Sequence, residues 1–581
     1  MNLINKEDIN MPQKNYVLTV GGVGSRILEA IIRLCECGYI TQDELRCFMS
    51  DSDTSNGNGH YVATELIRKY DKCYDNFVKA GENRGIFKTK ISSALKDGVF
   101  MSSPRRKEDK EVTLESAFGT NLSSQNVLKA FFNNDERSKS VDNGFYGRSV
   151  VGAIFTYYDL DQDDNGTIGR VLNNIVNDLK QPENEVRLFI AGSAFGGTGA
   201  SGVLPIVRTL VEKAKKDDDN NRKNLYICAA LMLPYFEWND PTYPEGISED
   251  QKKETDNLSN RLKKEVDDRT KQVVTDYRDL MHGTESDKLF SRLYVLGAPD
   301  KAIRGNFAGG GSGQNNWPHI VELFAAAEAG KFFAAETAEI EGYNLRKGNP
   351  YKVKGEDMSK LIWNDYDDGE RLSNKINALH IVNSIFSSII ADTVFDHTVR
   401  AGVERPFKTK DNSVFKNGKG GKKLRNEVWI DYKQGTLAKL FPWFFKGHRH
   451  FASGGIFGST WSWTYQDLDE HFNDLFEYFT QTSKWYNKLI RDFNDPETVI
   501  LPNLFEDSRI VAMHKRANLS EFSQLFTNKN LQNEFIINAT RNGQDKIYPP
   551  EHKIKNPNGS SGFLAEYVCE LYKNAEAVLK N

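Results

Sequence analysis

VRLFIAGSAFGGTGASGVLPIVRTL, residues 186–210, decides how this chain is read. Val186 to Ile190 form an unbroken run of branched and aromatic residues, the pattern of a buried strand. Glycines at 192, 196, 197 and 199 then break it into a loop, and an amphipathic helix is expected from about Val203. A strand, glycine loop and helix in that order place backbone N–H groups and a helix N-terminus around an anion. Glycine suits the loop because a side chain would keep phosphate oxygens from the backbone. Thr198 adds a hydroxyl to the same cradle. No lysine follows the glycines, so this is not the GxxxxGK[ST] loop of the common nucleoside triphosphatases. Phosphate charge would have to meet backbone dipoles and a metal ion. The plainer reading of the segment alone is a tight strand-to-helix turn.

A second loop favours the ligand. Tyr16 to Val20 is a short apolar strand, followed by Gly21-Gly22-Val23-Gly24-Ser25 and then RILEAIIRLCECG. Ile27, Ile31, Leu34 and Cys35 of that stretch share one helical face. Leu45 to Met49 read as the next strand, ending in Ser50-Asp51-Ser52-Asp53-Thr54. An acid at a second strand's end commonly serves a ribose hydroxyl or a phosphate-bound metal, while turn chemistry also favours Asp there.

This order of motifs resembles the tubulin and FtsZ superfamily of GTP-binding proteins, and within it the divergent prokaryotic tubulin-like proteins more than FtsZ or tubulin. Gly196-Gly197-Thr198-Gly199 match the family's GGGTG[ST]G loop, with Phe195 where a further glycine is usual and one extra residue before Gly202. Asp51-Ser52-Asp53 look like the Asn-Thr-Asp of FtsZ. Pro234-Tyr235-Phe236-Glu237, after the strand Leu225 to Leu233, is similar to Pro-Phe-x-Phe-Glu, again one residue out of step. Gln314-Asn315-Asn316-Trp317-Pro318-His319 open a long helix that resembles the family's core helix. The resemblance covers roughly residues 15–340. It implies a parallel Rossmann-type α/β sheet with both glycine loops on its carboxyl edge, a long core helix and a C-terminal α/β domain. It implies GTP or GDP with Mg2+, no direct protein metal ligand, phosphates on Gly21–Ser25 and Gly196–Gly199, and ribose near Asp53 or Glu237. Asn315 or Asn316 would read the base, although Asn before a helix with Pro in its first turn is also a plain N-cap. His319 reads as a structural histidine.

Domain expectations follow: a disordered 1–14, a nucleotide-binding domain 15–315 with polar insertions 56–140 and 239–287, a core helix 316–340 and a C-terminal domain 341–581. The 581 residues carry a net charge of −4 with 27% charged side chains, so nothing advertises nucleic acid or an anionic membrane. Cys35, Cys37, Cys47, Cys73, Cys228 and Cys569 lack zinc-site spacing and suggest reduced, intracellular usage. With no leader or membrane-length apolar run, a soluble cytoplasmic protein is expected.

Asn143 to Ser149 precede VVGAIFTYY, read as a strand, and Arg148 is a candidate phosphate contact or else an exposed loop arginine. The basic stretch 408–425 reads as a solvated hairpin. The aromatic stretch 441–487 reads as core or as a surface for a protein partner or self-association. Hydrolysis in the resembled family is completed in trans by acids after the core helix, which implies a filament-forming GTPase. FtsZ's acidic pattern is missing here, and Glu339 and Glu341 are the candidates in its place, three glutamates at a helix end being equally a solvated face. Two rivals remain: an adenylating enzyme, suggested by GGVGSR and DSDTSN, and a dinucleotide-dependent oxidoreductase. A third possibility is a non-hydrolysing, nucleotide-stabilised scaffold.

Overall fold

The computed structural model describes residues 12–79, 86–103, 113–118, 122–138, 141, 144–145, 147–161, 166–217, 223–243, 246–282, 289–298, 302–306, 311–342, 363–390, 465–489 and 575–580. The chain divides into two units, one of Met1–Leu34, Ile40–Arg68 and Thr89–Leu361, the other of Cys35–Tyr39, Lys69–Lys88 and Ile362–Asn581.

In the first unit β1 (Gln13–Val20) leads into α1 (Gly21–Glu36), then β2 (Glu44–Ser50). A helical run follows, α2 (Gly57–Tyr61), a π turn (Val62–Leu66) and α3 (Ile67–Lys79), which from Lys69 onward belongs to the second unit, then the edge strands β3 (Lys90–Ser93) and β4 (Met101–Ser102). Helices α4 (Leu114–Phe118), α5 (Leu122–Phe131), α6 (Asn134–Ser138), α7 (Ser149–Leu160) and α8 (Thr167–Leu179) precede β5 (Glu185–Ser193) and α9 (Gly197–Asp217). After β6 (Leu225–Met232) come β7 (Phe236–Asn239), α10 (Glu249–His282), β8 (Arg292–Leu296), β9 (Ala302–Asn306), α11 (Ile320–Ala334) and α12 (Thr337–Glu341).

The main sheet has the order β3-β2-β1-β5-β6-β8, with β4 also on β2 and every ladder parallel. Strands β5 and β6 are buried along their whole length, as a parallel sheet covered on both faces requires. The order runs outward from β1 to β2 and β3, then returns to β5 on β1's other side. Between β1 and β5 lies the switch point, where such sheets open a crevice at their carboxyl ends.

Tyr16, Leu18, Val20, Leu188, Ile190, Ile227 and Ala229 form one face of the core with α8, α9 and the end of α10. Val273, Tyr277 and Leu280 give α10 its inward stripe. The alternating residues Val17, Phe189, Ala191 and Cys228 are buried on the other face, and α11 packs on β5, β6 and β8. Its residues Ile320 to Gly330 are all buried, so α11 is a core helix with no polar side. Arg187, at the start of β5, donates to the carbonyls of Phe332, Phe333 and Ala335 at 3.0, 3.0 and 2.6 Å, satisfying the end of α11. The core helix therefore ends at the amino edge of the sheet.

Several expectations are corrected. VVGAIFTYY is the helix α7: Val151 and Phe155 point inward one turn apart, and packing outweighs the β preference of the sequence. A Cβ on Gly152 would lie 2.2 Å from Ser201 Oγ, so that glycine lets α7 approach α9. Helix α9 begins at Gly197, not at Val203, which puts Gly197 and Gly199 of the signature inside its first turn. The core helix runs Ile320–Ala334 instead of 316–340, because Ala335 is extended (φ −67°, ψ 145°) and separates it from α12. The polar stretch 56–140 contributes edge strands, and 239–287 ends in core residues, so neither is wholly an insertion. Gln13 and Lys14 belong to β1, while residues 1–11 lie outside the described residues.

The second unit is helical where it is described, with α13 (Gly369–Ile390) and α14 (Tyr465–Leu489) packed together. Buried Glu36 accepts from Asn383 Nδ2 and Tyr478 Oη, each at 2.7 Å. Phe479, Trp485 and Tyr486 are buried there, so this part of the aromatic stretch is core. Residues 441–464 and the basic stretch 408–425 lie outside the described residues, and the described residues of this unit include no strand. Among the described residues no helix is long and apolar enough to cross a membrane. Cys35, Cys37, Cys47, Cys73 and Cys228 are buried and not in disulfides.

Candidate functional site

The two glycine loops meet. Gly21 takes φ +75°, a conformation that side chains resist, as it turns from β1 into α1. A Cβ there would also lie 3.1 Å from the backbone N of Gly199, so the loops are in direct backbone contact. The N-termini of α1 and α9 therefore open on one cavity of about 210 Å³ at the switch point. Gly21, Gly22 and Val23 line it from one side, and Gly196, Gly197, Thr198 and Gly199 from the other. Gly24 and Ser25 do not: Gly24 presses on Thr19, and buried Ser25 donates back to the Gly21 carbonyl at 3.4 Å.

The end of β2 brings two acids to the same cavity, Asp51 and Asp53, which are 4% and 3% exposed. Asp51 Oδ1 accepts from Thr198 Oγ1 at 3.4 Å and from the Asp53 N–H at 3.2 Å. Burial pushes its carboxyl up to about 7, with Asp53 nearby adding to the rise. Ser52 Oγ and Thr198 Oγ1 are 3.1 Å apart. Asp53 accepts from Ser55 through Oδ1 and from the Gly311 N–H through Oδ2 at 2.6 Å. It thereby ties this turn to the segment before α11.

That segment forms an amide wall. Asn56 caps α2, accepting from the N–H groups of Asn58 and Gly59, and donates to Gln314 Oε1 at 2.6 Å. Asn58 bonds the Asn316 backbone in both directions, at 3.0 and 2.9 Å. Gln314 and Asn316 line the cavity, whereas Asn315 is exposed and does not. Neither asparagine caps α11. His319 does so, accepting the Val321 N–H on Nδ1 at 3.1 Å, while Glu322 returns to the His319 N–H at 2.9 Å.

Behind the first loop, Arg26 donates to Glu322 Oε1 at 2.5 Å and to Tyr235 Oη at 2.9 Å, and Tyr235 also donates to Glu322. Burial works against the Arg26 charge, but Glu322 and Tyr235 hold it firmly protonated. Burial likewise raises the Tyr235 phenol well above its ordinary value. Phe236 and Trp238, alternate residues of β7, give the cavity an aromatic wall. Glu237 lies between them, exposed and not among the lining residues.

Arg148, the candidate phosphate contact, does not line the glycine-loop cavity: it pairs with Glu136 at 3.4 Å and lines a second cavity of about 630 Å³, which Gly147 and Arg269 also border. Arg269, from α10, lines the glycine-loop cavity and donates to the Gly147 carbonyl at 2.9 Å. No motif marks Arg269, since only folding brings α10 across the loops. Arg26 was more legible, standing directly after GGVGS.

Glu339 and Glu341 lie elsewhere. Glu339 accepts from Arg292 Nη2 and Glu341 from Tyr226 Oη, each at 2.7 Å. Arg292 and Tyr226 open β8 and β6, so these glutamates stand at the amino edge, opposite the glycine loops. Among the described residues, no group of three or more His, Cys, Asp or Glu side chains could hold a metal alone. Compared with family models, curated proteins and solved structures, the chain matches none.

Proposed function

We propose that this chain is a tubulin/FtsZ-like protein that binds GTP or GDP with Mg2+ at the glycine-loop cavity and associates with its own copies. One observation carries the reading: two strand–glycine–helix units on adjacent parallel strands present touching loops and two helix N-termini to one cavity at the switch point. Backbone N–H groups and helix dipoles there suit phosphate. Asp51 and Asp53 suit a Mg2+ held mainly by phosphate and water, an ion that needs only one or two carboxylates. Asp53 also remains a ribose partner, a role the exposed Glu237 is poorly placed to share. Asn316, with Gln314 beside it, is the better base reader of the two asparagines.

Hydrolysis, on this reading, is completed between subunits. Glu339 and Glu341 stand at the opposite edge from the loops, where they could serve a neighbour's nucleotide in a head-to-tail array and not their own. A specific observation supports a second reading, a non-hydrolysing scaffold: both carboxylates are already engaged, by Arg292 and Tyr226.

Gly197→Val tests the site. Its side chain would enter the space against Gly147 N and Phe145 Cβ, each 3.0 Å from a Cβ at Gly197. Equilibrium dialysis with labelled GTP is expected to show wild-type binding and a loss of at least about 100-fold in the variant, with far-ultraviolet circular dichroism unchanged. Undiminished binding by a folded variant would place the nucleotide elsewhere.

A further inference from the structure

We propose that Arg269 supplies the cation that the glycine loops lack, contacting the terminal phosphate of a nucleoside triphosphate and so separating triphosphate from diphosphate. The inference rests on the nucleotide reading of the cavity. Arg26 and Arg269 are the cations among the described residues that line it. Arg26 is committed to Glu322, Tyr235 and the Gly22 carbonyl. Arg269 is not so committed. Its carboxylate neighbour Glu265 is one helical turn away at 3.6 Å and 44% exposed, and its own side chain is 20% exposed. Its Nε is buried and has no hydrogen-bond partner among the described residues. Burial works against its charge and lowers its pKa, and an approaching anion would relieve that penalty.

Position supports the assignment. Gly147 takes φ +75°, and a Cβ on it would lie 2.3 Å from Arg269 Nη1. A Cβ on Gly197 would in turn lie 3.0 Å from the Gly147 N. Gly147 is therefore in close contact with both Gly197, at the α9 N-terminus, and the Arg269 guanidinium. After its bonds to the Gly147 carbonyl at 2.9 Å and, more weakly, the Leu262 carbonyl at 3.5 Å, the planar fork keeps Nε and further N–H donors unused, which suits a phosphate with several terminal oxygens. A diphosphate bound by the same loops would not need that fork.

The test measures affinities of the full chain and of Arg269→Gln for GDP and for the β,γ-imido analogue of GTP, with Mg2+ present. Loss of one charge-assisted contact is expected to weaken the triphosphate analogue by roughly 10- to 100-fold and GDP by less than about threefold. Arg269→Lys, which keeps the charge but not the fork, is expected to fall between. Equal weakening of both ligands, or of neither, in variants with wild-type melting overturns the inference and leaves the nucleotide reading standing. A melting loss in Arg269→Gln that Arg269→Lys restores without restoring the triphosphate preference also overturns it. Wild-type protein that binds neither ligand refutes both.

Discussion

Neighbouring glycines in the same loop answer to different demands. Gly197 faces Phe145 and Gly147, which line the cavity, so a side chain there acts first on the cavity wall. A Cβ on Gly199 would lie 2.5 Å from the backbone N of Ser193, on β5 itself. Gly199→Ala is therefore expected to lose about 1–3 kcal/mol of stability in denaturant unfolding without nucleotide. Gly197→Val should lose far less, and the reverse order would contradict this division of labour. Asp51 gives a pH signature. Its folded-state carboxyl is raised from the ordinary 3.8 to about 7, so in that window the folded chain holds a proton that the unfolded chain has released. Stability must then fall as pH rises across the window, by up to about 1.4 kcal/mol per pH unit from this group. Asp51→Asn should flatten the slope and be relatively more stable at pH 8. An unchanged slope in the variant would mean that Asp51 titrates like an exposed carboxylate. The residues in the two glycine loops were legible because close backbone contact and a positive φ show in sequence as glycine. Arg269 was not, because any helix can carry an arginine.

Elements were legible where period and burial agreed. The apolar runs of β1, β2, β5 and β6 announced themselves, whereas VVGAIFTYY carries strand-like residues on a helix whose Gly152 exists for contact with α9. The start of α11 differs for a related reason: asparagines before a proline look like a cap, but Asn316 is bonded to Asn58, Asn315 is exposed, and His319 does the capping. The tie between α1 and α11 through Arg26, Glu322 and Tyr235 belongs to this scale. Arg26 and Glu322 are 4% and 1% exposed, so removing one charge strands the other. Arg26→Ala is expected to cost about 3–5 kcal/mol, and the paired change Arg26→Met with Glu322→Leu to recover much of it. Denaturant midpoints of the single and double variants measure the coupling. A double variant as unstable as the sum of the singles would show the pair to be independent.

At the scale of the first unit, the parallel sheet with its switch point between β1 and β5 accounts for why two glycine loops far apart in sequence share one cavity. Parallel pairing sends every strand's carboxyl end to one edge, and the core helix leads back to the other, where α12 carries Glu339 and Glu341. Sequence gave the order of these parts, while the side on which each lies depends on the crossovers and on buried ties such as Arg187 at the end of α11. The proposal that Glu339 and Glu341 serve a neighbour's nucleotide predicts hydrolysis that depends on assembly. Phosphate release per molecule should rise with protein concentration, in step with light scattering, across a dilution series with GTP. Specific activity that stays constant on dilution would contradict the intermolecular arrangement. The central claim is guanine-nucleotide recognition at the switch point, and titration calorimetry of the full chain with GTP, ATP and NAD in the presence of Mg2+ tests it most directly. The account predicts saturable heat with GTP, competed by GDP, and little with the other two; tight binding of ATP or NAD with no response to GTP would contradict it.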